Sequence, residues 1–305
     1  MAATASTATL TLVETNGTYA DGRPFDSVHY LQSKLALKPD RFTSVESFHD
    51  FGRLVRRTAR EVDVGFHAHP DAKHRPRVRE ILFVDTPDFR LYNNGFILRR
   101  RRSYVDGFPV GEPEIVFKFR HSDEHAAAAM DVRPRISGSY RVKFKAQILP
   151  LGGHVAGQRV LYSHNCQFPL DHVHEGDRTA MATLARVFPV LATLKTSNEE
   201  RVTLVNEGII EELLVPVARL DFGKGITMKS SLSLWRTRGE HLPLVGEFSY
   251  EVRLETPLDF CEKARARADQ FFVTLQHSAR DWLALGTTKT GLVYRLHGNP
   301  AARLE

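Results

Sequence analysis

Cysteine is scarce in this 305-residue chain: Cys166 and Cys261 are the only two. They provide no disulfide framework, which suits a reducing compartment, and no Cys-x-x-Cys pair exists to anchor a structural zinc. Apolar runs of about 18 residues are also missing, so no transmembrane helix is expected. Met1–Thr11 is rich in Ala and Thr without a basic start, unlike a signal peptide. A cytoplasmic protein that does not enter a membrane is the expectation. No repeat of fixed period occurs, and nothing resembles a nucleophile elbow. Charge of one sign is not dominant: 42 Lys and Arg against 36 Asp and Glu leave +6. That excess is too mild to demand nucleic acid by itself. What remains is an ordinary globular composition, 42% hydrophobic and 26% charged, long enough to bury a large core.

Residues 1–25 are small and polar, without periodicity, and read as a flexible tail before one domain over 26–300. His29–Leu37 reads as a strand. Thr43-Ser44-Val45-Glu46 has capping-box spacing, and Phe48, Phe51, Leu54 and Val55 follow at helical intervals up to about Val62. Two strands, 79–84 and 95–103, flank Asp85-Thr86-Pro87-Asp88 and Tyr92-Asn93-Asn94-Gly95 as a hairpin. Further strands are predicted at 114–120, 141–148, 215–222, 227–235 and 247–255. Residues 150–175, rich in Gly and His, give no clear pattern, and Arg178–Leu194 reads as a helix broken at Pro189. Pro257 opens a long helix that closes near Gly286. Hairpins dominate, which points to a closed antiparallel sheet.

The strands alternate between an oily face and a charged one. Ile115, Phe117 and Phe119 oppose Lys118 and Arg120; Val142, Phe144 and Ala146 oppose Arg141, Lys143 and Lys145. Phe248, Tyr250, Val252 and Leu254 oppose Glu247, Glu251 and Glu255, while Arg99 and Arg101 face away from Arg100 and Arg102. A sheet with its charges in water is the simpler account. Here, however, charge segregates by strand, and the amphipathic helices need an oily face to cover. Helices outside a closed barrel turn the charges inward. A lumen of Lys and Arg repels itself unless filled, and phosphate oxygens match guanidinium and ammonium donors. A phosphorylated small molecule or short polyphosphate is therefore the expected partner, with nucleic acid disfavoured because alternation splits the basic run across two faces.

The segment FVDTPDFRLYNNGFILRRR, followed by EIVFKFR, resembles the triphosphate tunnel metalloenzymes, or CYTH-like superfamily. The resemblance rests on Asp85-Thr86-Pro87-Asp88, Gly95, Leu98-Arg99-Arg100-Arg101 and Lys118, with EFSYEVRLE and Lys289–Arg295 near the C-terminus. It implies an α+β fold, an eight-stranded antiparallel barrel with a charged interior and helices packed outside. It also implies a triphosphatase-type phosphoanhydride hydrolase using Mg²⁺ or Mn²⁺. Where that family opens with Glu-x-Glu-x-Lys, this chain has Tyr30-Leu31-Gln32-Ser33-Lys34: the lysine remains and both carboxylates are gone. The alternative is a non-catalytic module that binds nucleotide or polyphosphate; a nucleic-acid binder is a further one.

Candidate phosphate contacts are Lys34, Arg99, Arg101, Lys118, Arg120, Arg141, Lys143 and Arg219, with Lys145 and Lys229 behind them. Glu247, Glu251 and Glu255 read either as metal ligands or as partners of lumen arginines. Asp85 and Asp88 read as turn caps. His67, His69 and His74, and His164, Cys166, His172 and His174, invite a zinc reading, but their spacing is weak and surface histidines are expected. Ser231 and Ser233 share a face without an assignable base.

Overall fold

The computed structural model describes residues 26–73, 75–173, 176–197, 199–255 and 261–297. The expected tail, His74, His174 and the helix start at Pro257 lie outside the described residues. The strands are β1 (Tyr30–Leu37), β2 (Gly65–Ala68), β3 (Arg77–Asp85), β4 (Phe96–Val105) and β5 (Phe108–His121). They continue as β6 (Arg141–Pro150), β7 (Gln158–Pro169), β8 (Thr203–Asp221), β9 (Thr227–Thr237) and β10 (Pro243–Arg253). Their order is β2-β8-β3-β4-β5-β7-β6-β1-β10-β9, and β9 pairs back onto β8. Nine strands thus close a barrel, with β2 outside on β8.

The expectation was eight antiparallel strands; the ring has nine and one parallel pair, β1 with β6. No hairpin joins β1 to either neighbour, so its direction is not forced. The additional strand is β7, in the Gly- and His-rich stretch that shows no periodic pattern. Of its lumen-side residues only Arg159, at the start of the strand, is charged, and Leu161, Asn165 and Gln167 that follow are not, so the sustained charge alternation that marks its neighbours is absent.

Helices cover the barrel's oily outer face. On one side α1 (Val45–Glu61) and α5 (Glu262–Ser278) pack Phe48, Phe51, Phe271 and Phe272 against Leu35, Val217, Phe248 and Tyr250. Burial of such side chains is worth about 1.5–3 kcal/mol each. The cap of α1 is Ser44 with Ser47: the Ser47 hydroxyl accepts from the backbone N–H groups of Thr43 (3.2 Å) and Ser44 (3.4 Å). On the other side α3 (Glu124–Ala128) packs on β5 and β7, and α4 (Met181–Val187) and the 3-10 turn Pro189–Leu194 cover Leu98, Phe117, Cys166 and Phe168.

At one end the inward rows of β3, β4, β8 and β10 change from polar to apolar. Ile81 and Phe83, Ile97, Ile210 and Val245 form a cluster with Val293 and Tyr294 of α6 (Lys289–Tyr294). This short helix lies across that end. Tyr294 donates to Asp85 (3.1 Å) and stacks on Tyr92 at 4.1 Å, while Asn206 Nδ2 donates to the Val293 carbonyl (2.8 Å). The Asp-Thr-Pro-Asp turn is what makes α2 (Arg90–Asn93) and the return strand possible. Asp85 accepts from the N–H groups of Thr86 (2.7 Å), Leu91 (2.8 Å) and Tyr92 (2.9 Å). Gly95 closes it at φ +82°, where a Cβ would lie 2.9 Å from the Arg120 carbonyl. Among the described residues no helix is long and apolar enough to cross a membrane.

Candidate functional site

The barrel encloses a cavity of about 550 Å³. Thirteen Lys and Arg side chains line it, against three carboxylates, Glu212, Glu247 and Glu251. Every strand of the ring contributes, because each presents alternate residues to the inside. β1 supplies Lys34, β4 Arg99 and Arg101, and β5 Lys118 and Arg120. β6 supplies Lys143 and Lys145, and Arg219 and Lys229 face each other in the β8–β9 register.

Of the residues singled out in the sequence, Lys34, Arg99, Arg101, Lys118, Arg120, Lys143, Arg219, Glu247 and Glu251 line this cavity. Arg141 and Glu255 do not. Arg141 begins β6 on the same face as Lys143 and Lys145, but its side chain is 70% exposed and pairs with Glu114 at 3.2 Å. Glu255 is exposed beyond the end of β10. Arg100 and Arg102 are likewise outside the lining. Alternation therefore assigned the face correctly, while depth along the barrel had to come from the pairing register.

Three of the lining cations stand together with no carboxylate in contact among the described residues. Lys118 is only 8% exposed, and Lys34 is enclosed beside it. Burial, reinforced by Arg120, Arg99, Lys34 and Lys145, pushes the Lys118 ammonium well below its usual range. Burial pulls Lys34 down to about 8, against an opposing pull from Glu247. Arg99 is also depressed by burial and by Arg101, and its buried Nε has no hydrogen-bond partner among the described residues. A guanidinium stays charged regardless. Lys143 lies 4.9 Å from the ring of Tyr30, which offers its face to the ammonium.

The carboxylates, by contrast, are fully engaged. Glu212 accepts from Arg79 Nε (2.8 Å) and Trp235 Nε1 (2.9 Å), and Lys289 Nζ lies 3.2 Å away. Lys289 also reaches Glu247 Oε1 (3.1 Å) and Ser233 Oγ (2.9 Å). Glu251 takes Lys145 Nζ at 2.6 Å, a lysine partner where an arginine had been expected. Burial alone would raise Glu212, yet Lys289, Arg79 and the indole N–H hold it well below the usual carboxylate range. Lys289 and Lys34 do the same for Glu247, and Lys145 for Glu251.

A divalent ion wants several unengaged hard oxygens. Among the described residues no group of three or more His, Cys, Asp or Glu is placed to hold a metal. The expected Glu247, Glu251 and Glu255 set does not converge: the first two are bound by different lysines and the third lies outside. These residues do not fit Mg²⁺ or Mn²⁺ as they stand. The zinc reading fares no better. His164 is not a surface residue; it is buried against Phe144 with ring centroids 4.8 Å apart, and burial pushes it down to about 4.

Sequence reasoning missed Arg79, Glu212 and Lys289 as lining residues. Glu212 sits in the half of β8 that carries no recognisable signature. Lys289 lies in a segment noted only for its resemblance.

No family model and no curated protein matches the chain. Solved structures are similar to it. A candidate adenylyl cyclase from Hippeastrum, which reveals a dominant triphosphatase activity, is 14% identical over 91% of this chain and 99% of that one, with a TM-score of 0.42. A candidate adenylate cyclase from Bacillus halodurans is 12% identical over 86% and 95%, with a TM-score of 0.37. Another from Vibrio parahaemolyticus is 10% identical over 88% and 98%, at 0.32. At these values the likenesses carry no argument about chemistry, and the cavity stands on its own geometry. A closed barrel with inward Lys and Arg and outer helices is what the resemblance to the triphosphate tunnel metalloenzymes implied, and that architecture this chain has.

Proposed function

We propose that the cavity binds a triphosphate or a short polyphosphate, free or carried by a small molecule. One observation supports this most: thirteen cations line an enclosed space with only three carboxylates, and Arg99 and Lys118 have no carboxylate in contact among the described residues. Mutual repulsion of buried cations lowers the affinity of the lysines for their protons, and a guest of multiple negative charge relieves it with the charges kept. Phosphoryl groups meet the requirement because each offers several oxygens to forked guanidinium and rotatable ammonium donors. Arg99, Arg101, Lys118, Arg120, Lys34, Lys143 and Arg219 are the proposed contacts, with Arg141 relegated to the rim.

Binding is favoured over hydrolysis of a phosphoanhydride. Turnover needs a group that orients water or holds a metal. Each cavity carboxylate is already committed to a cationic side chain. The deciding experiment is calorimetric titration of the protein with inorganic tripolyphosphate in EDTA, run beside a phosphate-release assay with Mg²⁺ and Mn²⁺. Saturable one-to-one binding that raises Tm, is weakened in Arg99→Ala and Lys118→Ala, and proceeds without phosphate release is the expected result. Metal-dependent release that Glu251→Ala abolishes would instead make the protein a hydrolase. Absence of any binding at millimolar tripolyphosphate would end the proposal.

A further inference from the structure

The Lys289 ammonium occupies an unusual position. Its three N–H groups meet three oxygens, Glu212 Oε1 at 3.2 Å, Glu247 Oε1 at 3.1 Å and Ser233 Oγ at 2.9 Å, which exhausts its donors. The Trp235 ring covers it at 4.5 Å. The oxygens come from three adjacent strands. Glu212 pairs in register with Trp235, and Ser233 with Glu247, so β8, β9 and β10 bring them together without any loop. The cation comes from elsewhere, at the start of α6, which is fixed by Tyr294 on Asp85 and by Asn206 on the Val293 carbonyl.

Two ionised carboxylates and a hydroxyl form a hard-oxygen set of the kind that Mg²⁺ and Mn²⁺ prefer. The oxygens stand at ammonium distance, about 1 Å farther out than the roughly 2.0–2.1 Å of a Mg–O bond. We propose that Lys289 is a tethered cation filling the place of a divalent ion between Glu212 and Glu247, so that the wild-type site rejects divalent metal and becomes a metal site only when Lys289 is removed. The fixed ammonium supplies a positive charge at the closed end of the cavity without an exchangeable ion, and without dependence on metal supply. This adds to the anion-binding reading but is tested without phosphate, so either can fail while the other stands.

The test is titration of Mn²⁺ followed by the paramagnetic resonance signal of the free ion, on wild type, Lys289→Ala and Lys289→Ala/Glu247→Gln. Wild type should leave micromolar Mn²⁺ free. Lys289→Ala should bind one Mn²⁺ per chain and gain thermal stability from it, and the double variant should lose both. If Lys289→Ala is unfolded alone, Mn²⁺ should refold it. Stoichiometric Mn²⁺ binding by wild type that is lost in Glu247→Gln would overturn the proposal. So would a folded Lys289→Ala that binds no Mn²⁺, or an unfolded one that millimolar Mn²⁺ does not restore.

Discussion

Two places in the cavity carry the same charge under opposite conditions. Around Lys289, one ammonium meets Glu212, Glu247 and Ser233, and Arg79 completes Glu212 from the far side. Around Lys118, the neighbours are Arg120, Arg99, Lys34 and Lys145, and burial compounds their repulsion. The first place is balanced within the chain and helps hold α6 on the barrel. The second has no such balance within the chain among the described residues, and in the proposed reading a bound anion supplies it. The difference teaches that a buried cation can serve the fold or a ligand, depending on whether a carboxylate of the same chain reaches it.

The sharpest way to break this contrast is at the balanced place. Glu212→Ala leaves Arg79 and Lys289 buried without their common partner, and a loss of about 3–5 kcal/mol is expected in urea unfolding. A loss below about 1 kcal/mol would show that the network does not serve the fold. At the other place the sign of the stability effect reverses. Lys118→Met removes a repelled charge, so the ligand-free protein should melt a few degrees higher, about 1 kcal/mol being worth roughly 2–4 °C at this size. Its tripolyphosphate affinity should fall about 10–100-fold, the scale of one charged hydrogen bond. Arg141→Ala, at the exposed rim, should change affinity by less than about 3-fold. Equal losses in both variants would erase the distinction between lumen and rim.

The smallest effect is the pH dependence, and it sharpens the contrast. Lys34 titrates at about 8 in the folded chain, below its ordinary 10.5. Between those values the unfolded chain holds a proton that the folded chain has released, so stability without ligand rises with pH across that window. Anion binding needs the protonated form, so affinity should fall over the same window, by up to about tenfold per pH unit for one group. Calorimetry in buffers of different ionisation heat should detect proton uptake on binding at about pH 8–9. Proton release there would contradict the assignment.

The sequence disclosed the parts of this site where chemistry and periodicity coincide. β3 and β4 are legible because a turn with Asp85 and Gly95 separates two alternating runs, and β5 and β6 because Lys118 and Arg120, and Arg141, Lys143 and Lys145, recur at every second residue. β7 was hidden, since after a single Arg159 its inward Leu161, Asn165 and Gln167 look like any mixed segment. Arg141 was expected in the lumen and shares the face of Lys143 and Lys145 but lies too far out along the strand, and Glu255 lies past the end of β10, because a period of two reports direction and not depth. Glu212, beside Glu211, looks like a solvated acidic pair until the strand register turns one of them inward. Lys289 owes its role to a helix that crosses the barrel end, a long-range relation that no local pattern encodes.

That crossing helix has a consequence for traffic. With that end stoppered by Val293 and Tyr294, the anion proposed here would enter from the opposite end, and an extended polymer would be seated by a terminus instead of threaded through.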